Sequence, residues 1–138
     1  MDLPTGPHAP SQARAHTADT LSRWTIPGEI IDDLTLITSE LATNSVQHTV
    51  SSTITVTVAL TPAEAVVTVT DQGLHARFEP ASSSGPYAER GRGLVIVQAL
   101  ATRWTRTPLA DGTEVLAAIA LPEHTRGEAE TDAARTHR

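Results

Sequence analysis

The feature that most constrains this chain is an apolar stripe that leads into residues 34–49, LTLITSELATNSVQHT. Its apolar members recur at the spacing of one helical face, at Ile30, Leu34, Ile37 and Leu41. Such spacing is typical of an amphipathic helix with one side turned towards a core. The segment therefore predicts a central helix that organises the rest of the fold.

The same helical face changes character in its last turns. Its next positions are Asn44 and His48, and Glu40 lies one turn before Asn44. Polar groups that are covered without partners cost about 1–3 kcal/mol each. A metal ion or a phosphorylated ligand would supply such partners. The alternative is a helix whose last turn is solvated, where His48 also suits the helix dipole.

Composition narrows the class of protein. A chain of 138 residues fits one domain, and its net charge of −6 argues against nucleic acid or an anionic membrane as partner. All ten basic residues are Arg, so a Walker A loop and a catalytic lysine are excluded. There is no Cys, and the apolar runs fall short of the roughly 20 residues that span a bilayer. No signal peptide is evident. These features predict a cytoplasmic protein.

The N-terminal third predicts two helices after a loose start. Residues 1–10 are rich in Pro and Gly and predict a flexible terminus. A short helix is expected over residues 11–24, with Ser11 as its N-cap and Ala13, Leu21 and Trp24 buried. Pro27 then suits the first turn of the central helix, which is expected to begin near Gly28.

The rest of the chain alternates between strands and a helix. Period-two alternation predicts an antiparallel hairpin of residues 53–60 and 65–70, with Asp71 pointing inward at its end. Residues 72–92 predict a lid, 93–104 a helix that includes Trp104, and 113–121 a last strand. Segregated helices and mainly antiparallel strands predict an α+β fold, a two-layer α/β sandwich with helices on one face of the sheet. The domain is expected to span residues 11–121, followed by a disordered charged tail over 122–138.

Two further polar clusters accompany the central helix. Asp71-Gln72-Gly73 joins the inward acid to a residue that permits a tight turn. Gly91-Arg92-Gly93 opens the next helix, where free amides and the helix dipole attract phosphate. Each cluster alone is weak evidence, because turns and loop-to-helix junctions use the same residues.

In their order and spacing, the clusters resemble the GHKL, or Bergerat-fold, ATP-binding family. ELATNSVQH is similar to its N box, and GRGLVIVQALATRW followed by DGTEV is similar to its G2 and G3 boxes. The likeness is strongest to small bacterial anti-sigma factor serine/threonine kinases and related ATP-binding regulators. It covers residues 11–121.

The resemblance implies ATP and Mg²⁺ as cofactors and assigns roles on the central helix. Asn44 would coordinate Mg²⁺, and Glu40 would act as the catalytic residue that orients or deprotonates the attacking hydroxyl. Mg²⁺ takes few ligands from protein, so one amide oxygen beside phosphate oxygens suffices. Phosphoryl transfer needs positioning and charge neutralisation above all.

The resemblance also implies a base pocket and a phosphate site. Asp71 would accept a hydrogen bond from the adenine amino group, Gly73 would let the chain turn beside the base, and Thr113 would support Asp71 directly or through water. His48 would lie near the same pocket. The residues implied to hold the phosphates are Gly91, Arg92, Gly93 and Leu94.

Two departures from the family pattern stand out. His75 occupies the second glycine position of the DxGxG motif, which bears on the lid hinge and on nucleotide affinity. The N-terminus is short and Pro-rich where the family often has a leading edge strand that contributes to dimer contacts. The state of this chain as a homodimer is therefore left open.

Three functions compete at this point. The first is an ATP- and Mg²⁺-dependent serine/threonine kinase of the anti-sigma type, with a sigma factor or an anti-anti-sigma-like antagonist as its protein partner. The second is a nucleotide-sensing module that binds a regulatory protein without catalysis. The third, a metal hydrolase built from Glu40, His48, Asp71 and His75, lacks any paired metal-ligand spacing.

Overall fold

The computed structural model of the protein describes residues 1–48, 53–71, 95–122 and 136–137. The elements are β1 Asp2–Pro4, α1 Ala9–Ser22, α2 Gly28–His48, β2 Thr53–Leu60, β3 Glu64–Asp71, β4 Arg103–Leu109, β5 Gly112–Ala120 and β6 Thr136–His137. The strands pair antiparallel in the order β1-β2-β3-β5-β4, and β6 pairs with β2 beside this path. Helices pack on one face of the sheet, which confirms the predicted two-layer α/β sandwich.

The β2–β3 hairpin forms the centre of the sheet, as the alternation predicted. Ile54 lies opposite Asp71 and Leu60 opposite Ala65. The alternate residues of both strands that face the helices are buried: Ile54, Val56, Val58, Leu60, Ala65, Val67, Val69 and Asp71. Period two thus places the one acid of this set at the end of a face that is otherwise hydrocarbon.

The predicted helix over residues 93–104 is wrong at its C-terminal end. Residues 95–100 are helical, and β4 begins at Arg103, so Trp104 lies on a strand. The backbone N–H of Thr102 donates to the Ala118 carbonyl at 2.8 Å, which starts the pairing of β4 with β5. Hydrogen bonding to a neighbouring strand overrides the helix-like spacing of Val97, Ala101 and Trp104.

The N-terminus also differs from the prediction of a loose segment without an edge strand. Leu3 is buried opposite Ile54, and Met1 exchanges two 2.8 Å backbone hydrogen bonds with Val56. Similarly, residues 136–137 of the predicted tail pair with β2. Residues 123–135 of that tail lie outside the described part of the chain.

The helical layer rests on two helices that contact each other. α1 begins at Ala9, two residues before the predicted start, because Pro10 occupies its first turn and Ser11 bonds back to the His8 carbonyl instead of capping. Thr17 donates to Thr38 at 3.2 Å across the buried α1–α2 contact. This contact orients α2 over the sheet.

The predicted start of α2 at Gly28 is confirmed, and so is the burial of Ala13, Leu21 and Trp24. The Pro27 carbonyl accepts from the N–H groups of both Ile30 and Ile31, which closes the first turn. Within the described residues, no helix is long and apolar enough to cross a membrane.

Candidate functional site

The candidate site lies beside the buried side of α2, at the last turns of the helix. The four apolar positions predicted to face the core are all buried. Among the α2 side chains that the structure describes, the buried ones are Ile30, Leu34, Ile37, Thr38, Leu41, Ala42 and Ser45. The stripe therefore continues through Ser45 in its last turns. Glu40 and Asn44 are half-buried along its edge, one turn apart. Both polar side chains remain accessible to a ligand beside the helix.

Asp71 is the buried carboxylate of the site, with 3% of its surface exposed. The pairing of β3 with β5 sets Asp71 opposite Thr113, whose backbone N–H donates to Oδ1 at 3.2 Å. From α2, the Ser45 hydroxyl donates to Oδ2 at 3.4 Å. Each carboxylate oxygen thus has a donor from a different element, as a buried carboxylate requires.

The contact between Asp71 and Thr113 is one that the resemblance implied. It is made by the backbone amide of Thr113, so the strand register and not the threonine side chain provides it. The carboxylate is fixed at the end of β3, beside the last turns of α2. Its role towards adenine stays a prediction.

Ser45 was missed by the sequence reasoning. The signal was present, because Ser45 follows Leu41 by four residues and Thr38 by seven, which places it on the buried side of an ideal helix. A serine inside a helix does not by itself indicate burial, however. Its partner Asp71 lies 26 residues away in the chain.

Several predicted site residues lie outside the described part of the chain. These are Gly73 and His75, the remainder of the predicted lid, and the predicted phosphate-binding residues Gly91, Arg92, Gly93 and Leu94. The backbone of α2 ends at His48, whose side chain is likewise outside the description. Their roles stay predictions.

Among the described residues, no group of three or more His, Asp or Glu side chains is arranged to hold a metal ion. Mg²⁺ makes a smaller demand, since it keeps most of its waters and is commonly held by one protein oxygen together with phosphate. A half-buried amide such as Asn44 fits that demand, and the magnesium assignment stays a prediction.

Comparison with known families identifies the kind of domain. Residues 3–119 match the family model described as a histidine kinase-like ATPase domain. No curated protein matches the sequence. The family match begins within β1 and ends within β5, and it supports the ATP-binding domain that the motifs predicted.

Proposed function

Because the chain belongs to the family of histidine kinase-like ATPase domains, we propose that it is an ATP- and Mg²⁺-dependent serine/threonine protein kinase of the anti-sigma factor type. Its substrate is a protein antagonist of the anti-anti-sigma kind, and its regulatory partner is a sigma factor. Because both proposed partners are cytoplasmic regulators, the proposal extends to a cytoplasmic location for this protein.

The observation that carries this proposal is the pairing of Glu40 with Asn44 on α2. Both side chains are half-buried, and their spacing of four residues places them on one side of the helix. The carboxylate and the amide oxygen lie about one helical turn apart. At that separation, an amide that binds a metal ion and a carboxylate that accepts a proton can act on the same phosphate group. Nucleotide binding alone would not require the carboxylate.

The chemistry of the proposal uses three groups of this chain. Asp71 accepts a hydrogen bond from the exocyclic amino group of the base. Asn44 would hold Mg²⁺, which would neutralise charge on the phosphates when bound. Glu40 takes the proton of a Ser or Thr hydroxyl on the protein substrate, whose oxygen bonds to the γ-phosphorus as the bond to ADP breaks.

The first experiment is calorimetric titration of the purified protein with ATP, with and without Mg²⁺. We expect Mg²⁺-dependent binding in the parent chain and its loss in Asn44→Ala. Gln47→Ala is the matched control, because Gln47 lies on the same helix and is exposed. Equal ATP affinities for Asn44→Ala and the parent protein would remove Asn44 from the site.

The second experiment tests group transfer with γ-labelled ATP and purified anti-anti-sigma-type proteins. We expect label on a Ser or Thr of the protein substrate with the parent chain and none with Glu40→Gln, while ATP still binds to the variant. If nucleotide binds but no label is transferred to any such protein, the kinase proposal is overturned.

The second candidate, a nucleotide-sensing module without catalysis, is favoured by one sequence feature. His75 stands where the resembling family has the second glycine of its DxGxG motif. In that case Glu40→Gln leaves capture of the regulatory partner unchanged, with no phosphotransfer by either form. The same variant therefore separates the two candidates.

A further inference from the structure

The solvent side of α2 carries a second stripe of residues, of which the proposed function uses only one end. We call it the outer stripe, and its members are Glu29, Asp33, Leu36, Glu40 and Asn44. They recur at i, i+4, i+7, i+11 and i+15, the spacing that keeps side chains on one side of a helix. Glu29 and Leu36 are exposed, and the other three are half-buried. The outer stripe is therefore an accessible path along the helix to the proposed catalytic residue.

The first helix packs against a different side of α2. Its contact is made at Thr38, which accepts a hydrogen bond from Thr17 at 3.2 Å. Thr38 follows Leu36 by two residues, so the two side chains point about 200° apart around the helix. Leu36 accordingly keeps 43% of its surface exposed.

Leu36 differs from other exposed apolar side chains in what lies next to it. Among the described residues, the other large exposed apolar ones are Val95 and Leu109. A single apolar residue on a surface is ordinary. Leu36, however, precedes Glu40 by one helical turn, which brings their Cβ atoms to about 5–6 Å from each other. Because Glu40 has to meet the hydroxyl of a protein substrate, Leu36 is placed to bury an apolar side chain of the same substrate.

The charge of α2 indicates the other part of the partner. The helix contains no Arg, and its carboxylates are Glu29, Asp32, Asp33 and Glu40. Glu29 in the first turn suits the helix dipole, but that effect falls off after the first turn and does not account for Asp33. Glu29 and Asp33, four residues apart, also repel each other at a small cost to the helix. A basic side chain that docks between them would relieve this repulsion.

We propose that the outer stripe is the docking site for the protein substrate, and that it selects an extended segment with an apolar residue two positions and a basic residue four positions from the phosphorylated Ser or Thr. The inference rests on the proposed kinase function and adds the substrate sequence that α2 recognises. Binding is by burial of the apolar side chain on Leu36 and by attraction of the basic one to the carboxylates.

The two positions follow from the dimensions of a strand and a helix. Alternate residues of an extended segment face the same way and lie about 6.6 Å apart. With the substrate hydroxyl at Glu40, the second position meets Leu36, which is about 6 Å away along the helix axis. The fourth position, about 13 Å from the hydroxyl, falls between Asp33 and Glu29, which lie about 10 and about 16 Å from Glu40 along the axis.

The test measures transfer of label from γ-labelled ATP, with Mg²⁺, to synthetic peptides by the full chain. The first peptide carries one Ser, a Leu two positions from it and an Arg four positions from it, and it is made in both chain directions. Two matched peptides replace the Leu by Gln or the Arg by Glu. We expect kcat/KM to fall about five- to tenfold when the Leu is replaced and about fivefold when the Arg is replaced.

Two variants of the chain test whether the outer stripe produces these preferences. Leu36→Gln is expected to remove the preference for Leu, and Asp33→Arg to make the Glu peptide better than the Arg peptide. A merely structural effect would not reverse a preference. Leu109→Gln, at a leucine that is 41% exposed on another element, and Asp111→Arg, at an exposed aspartate, are the matched controls. Both are expected to keep the parental preferences.

The outcomes separate this inference from the proposed function, which is followed by label transfer to purified anti-anti-sigma-type proteins. If the parent chain labels such a protein but labels no peptide, or labels all peptides equally, the inference is overturned and the proposed function stands. Peptide preferences that Leu36→Gln and Asp33→Arg leave unchanged would also overturn it. If the folded parent chain labels neither protein nor peptide, both proposals are overturned.

Size-exclusion chromatography tests a second copy of the chain as the occupant of the outer stripe. A dimer of the parent chain that Leu36→Gln dissociates and Leu109→Gln does not would assign the stripe to that copy and overturn the inference. A preference for Leu and Arg that the two stripe variants remove and reverse, and that both controls retain, supports it.

Discussion

The two faces of the sheet are built from the same strands but have opposite chemistry. On the inner face, towards the helices, β2 and β3 carry Ile, Val, Leu and Ala, all buried, and a single acid. On the outer face the same strands carry threonines, and a concavity of about 700 Å³ there is lined by Met1, Asp2, Thr55, Thr57, Thr68, Thr70 and Glu114. Alternation of apolar and β-branched polar residues thus suits strands that pack on one side only.

Each face contains residues whose polarity differs from that of their neighbours, and the two faces accommodate them differently. The polar exception inside is Asp71, which receives donors from Ser45 and from the Thr113 backbone. Among the described apolar residues of the outer face, Val66 and Ala118 are the buried ones, and they are paired with each other. A carboxylate on the inner face needs specific hydrogen-bond donors, whereas an apolar side chain on the outer face needs only to be shielded from water.

One long side chain crosses this part of the outer face. Arg103 on β4 lies opposite Ala118 on β5, and its guanidinium reaches Glu64 on β3 with bonds of 2.8 and 2.9 Å. The side chain therefore crosses β5 above alanines, which leave room for it. An arginine stem can shield apolar surface in this way while its charged end stays in solvent.

The largest predicted effect tests the inner face directly. Val67 is fully buried between Val58 and Ala117, so Val67→Ala removes two methyl groups and leaves a cavity. We expect it to lower the free energy of unfolding by about 2 kcal/mol. The adjacent substitution Thr68→Ala, on the outer face, is expected to change it by about 0.5 kcal/mol or less. Urea denaturation of both variants measures the two changes in the free energy of unfolding. Equal losses of stability in the two variants would contradict the proposed difference between the faces.

The sequence predicted those elements whose pattern is local. The inward position of Asp71 follows from period two along β3, and the start of α2 follows from Pro27 and the apolar stripe. β1 was missed because three residues, one of them proline, carry no pattern of their own; its structure comes from pairing with β2. Trp104 was assigned to a helix because its spacing from Val97 also suits a helical face.

The site could be predicted only in part for a related reason. Motifs brought Asp71 and Thr113 together in the prediction because a family likeness carries tertiary information that a single pattern lacks. The Ser45 contact depends on how α2 lies over the end of β3, which is a property of helix–sheet packing. No local rule of spacing reports that packing, although the helical period does place Ser45 on the buried side.

A smaller effect is expected from Arg103→Gln on the outer face. The variant loses the paired bonds to Glu64 and the cover over Ala118, so its melting temperature is expected to fall, by less than that of Val67→Ala. Because the Arg103 side chain is 51% exposed and solvent reaches the ion pair, the fall should shrink as salt is added. A salt-independent loss would show that cover of the alanine, and not charge, is the larger contribution.

The pH dependence of this variant follows from the same pair. The hydrogen bond with Glu64 and its negative charge raise the pKa of Arg103 above its ordinary value. A raised pKa contributes stability that is complete below the unfolded-state value and is lost only as the pH rises through the folded-state value. Arginine is fully protonated in the folded and unfolded states at both about pH 7 and about pH 9. The difference in free energy of unfolding between the parent chain and Arg103→Gln should therefore be the same at these two pH values.

The smallest effect is expected from Thr57→Val, which exchanges a hydroxyl for a methyl group of similar shape on the outer face. Thr57 lies opposite Thr68 and is half-buried, so we expect the free energy of unfolding to change by about 0.5 kcal/mol or less. The same exchange at Thr17 provides the matched comparison. That hydroxyl is buried and donates to Thr38, so Thr17→Val is expected to cost about 1 kcal/mol. If Thr57→Val cost as much as Thr17→Val, the outer face would have to be a packed surface like the inner one, and its threonines would need partners of their own.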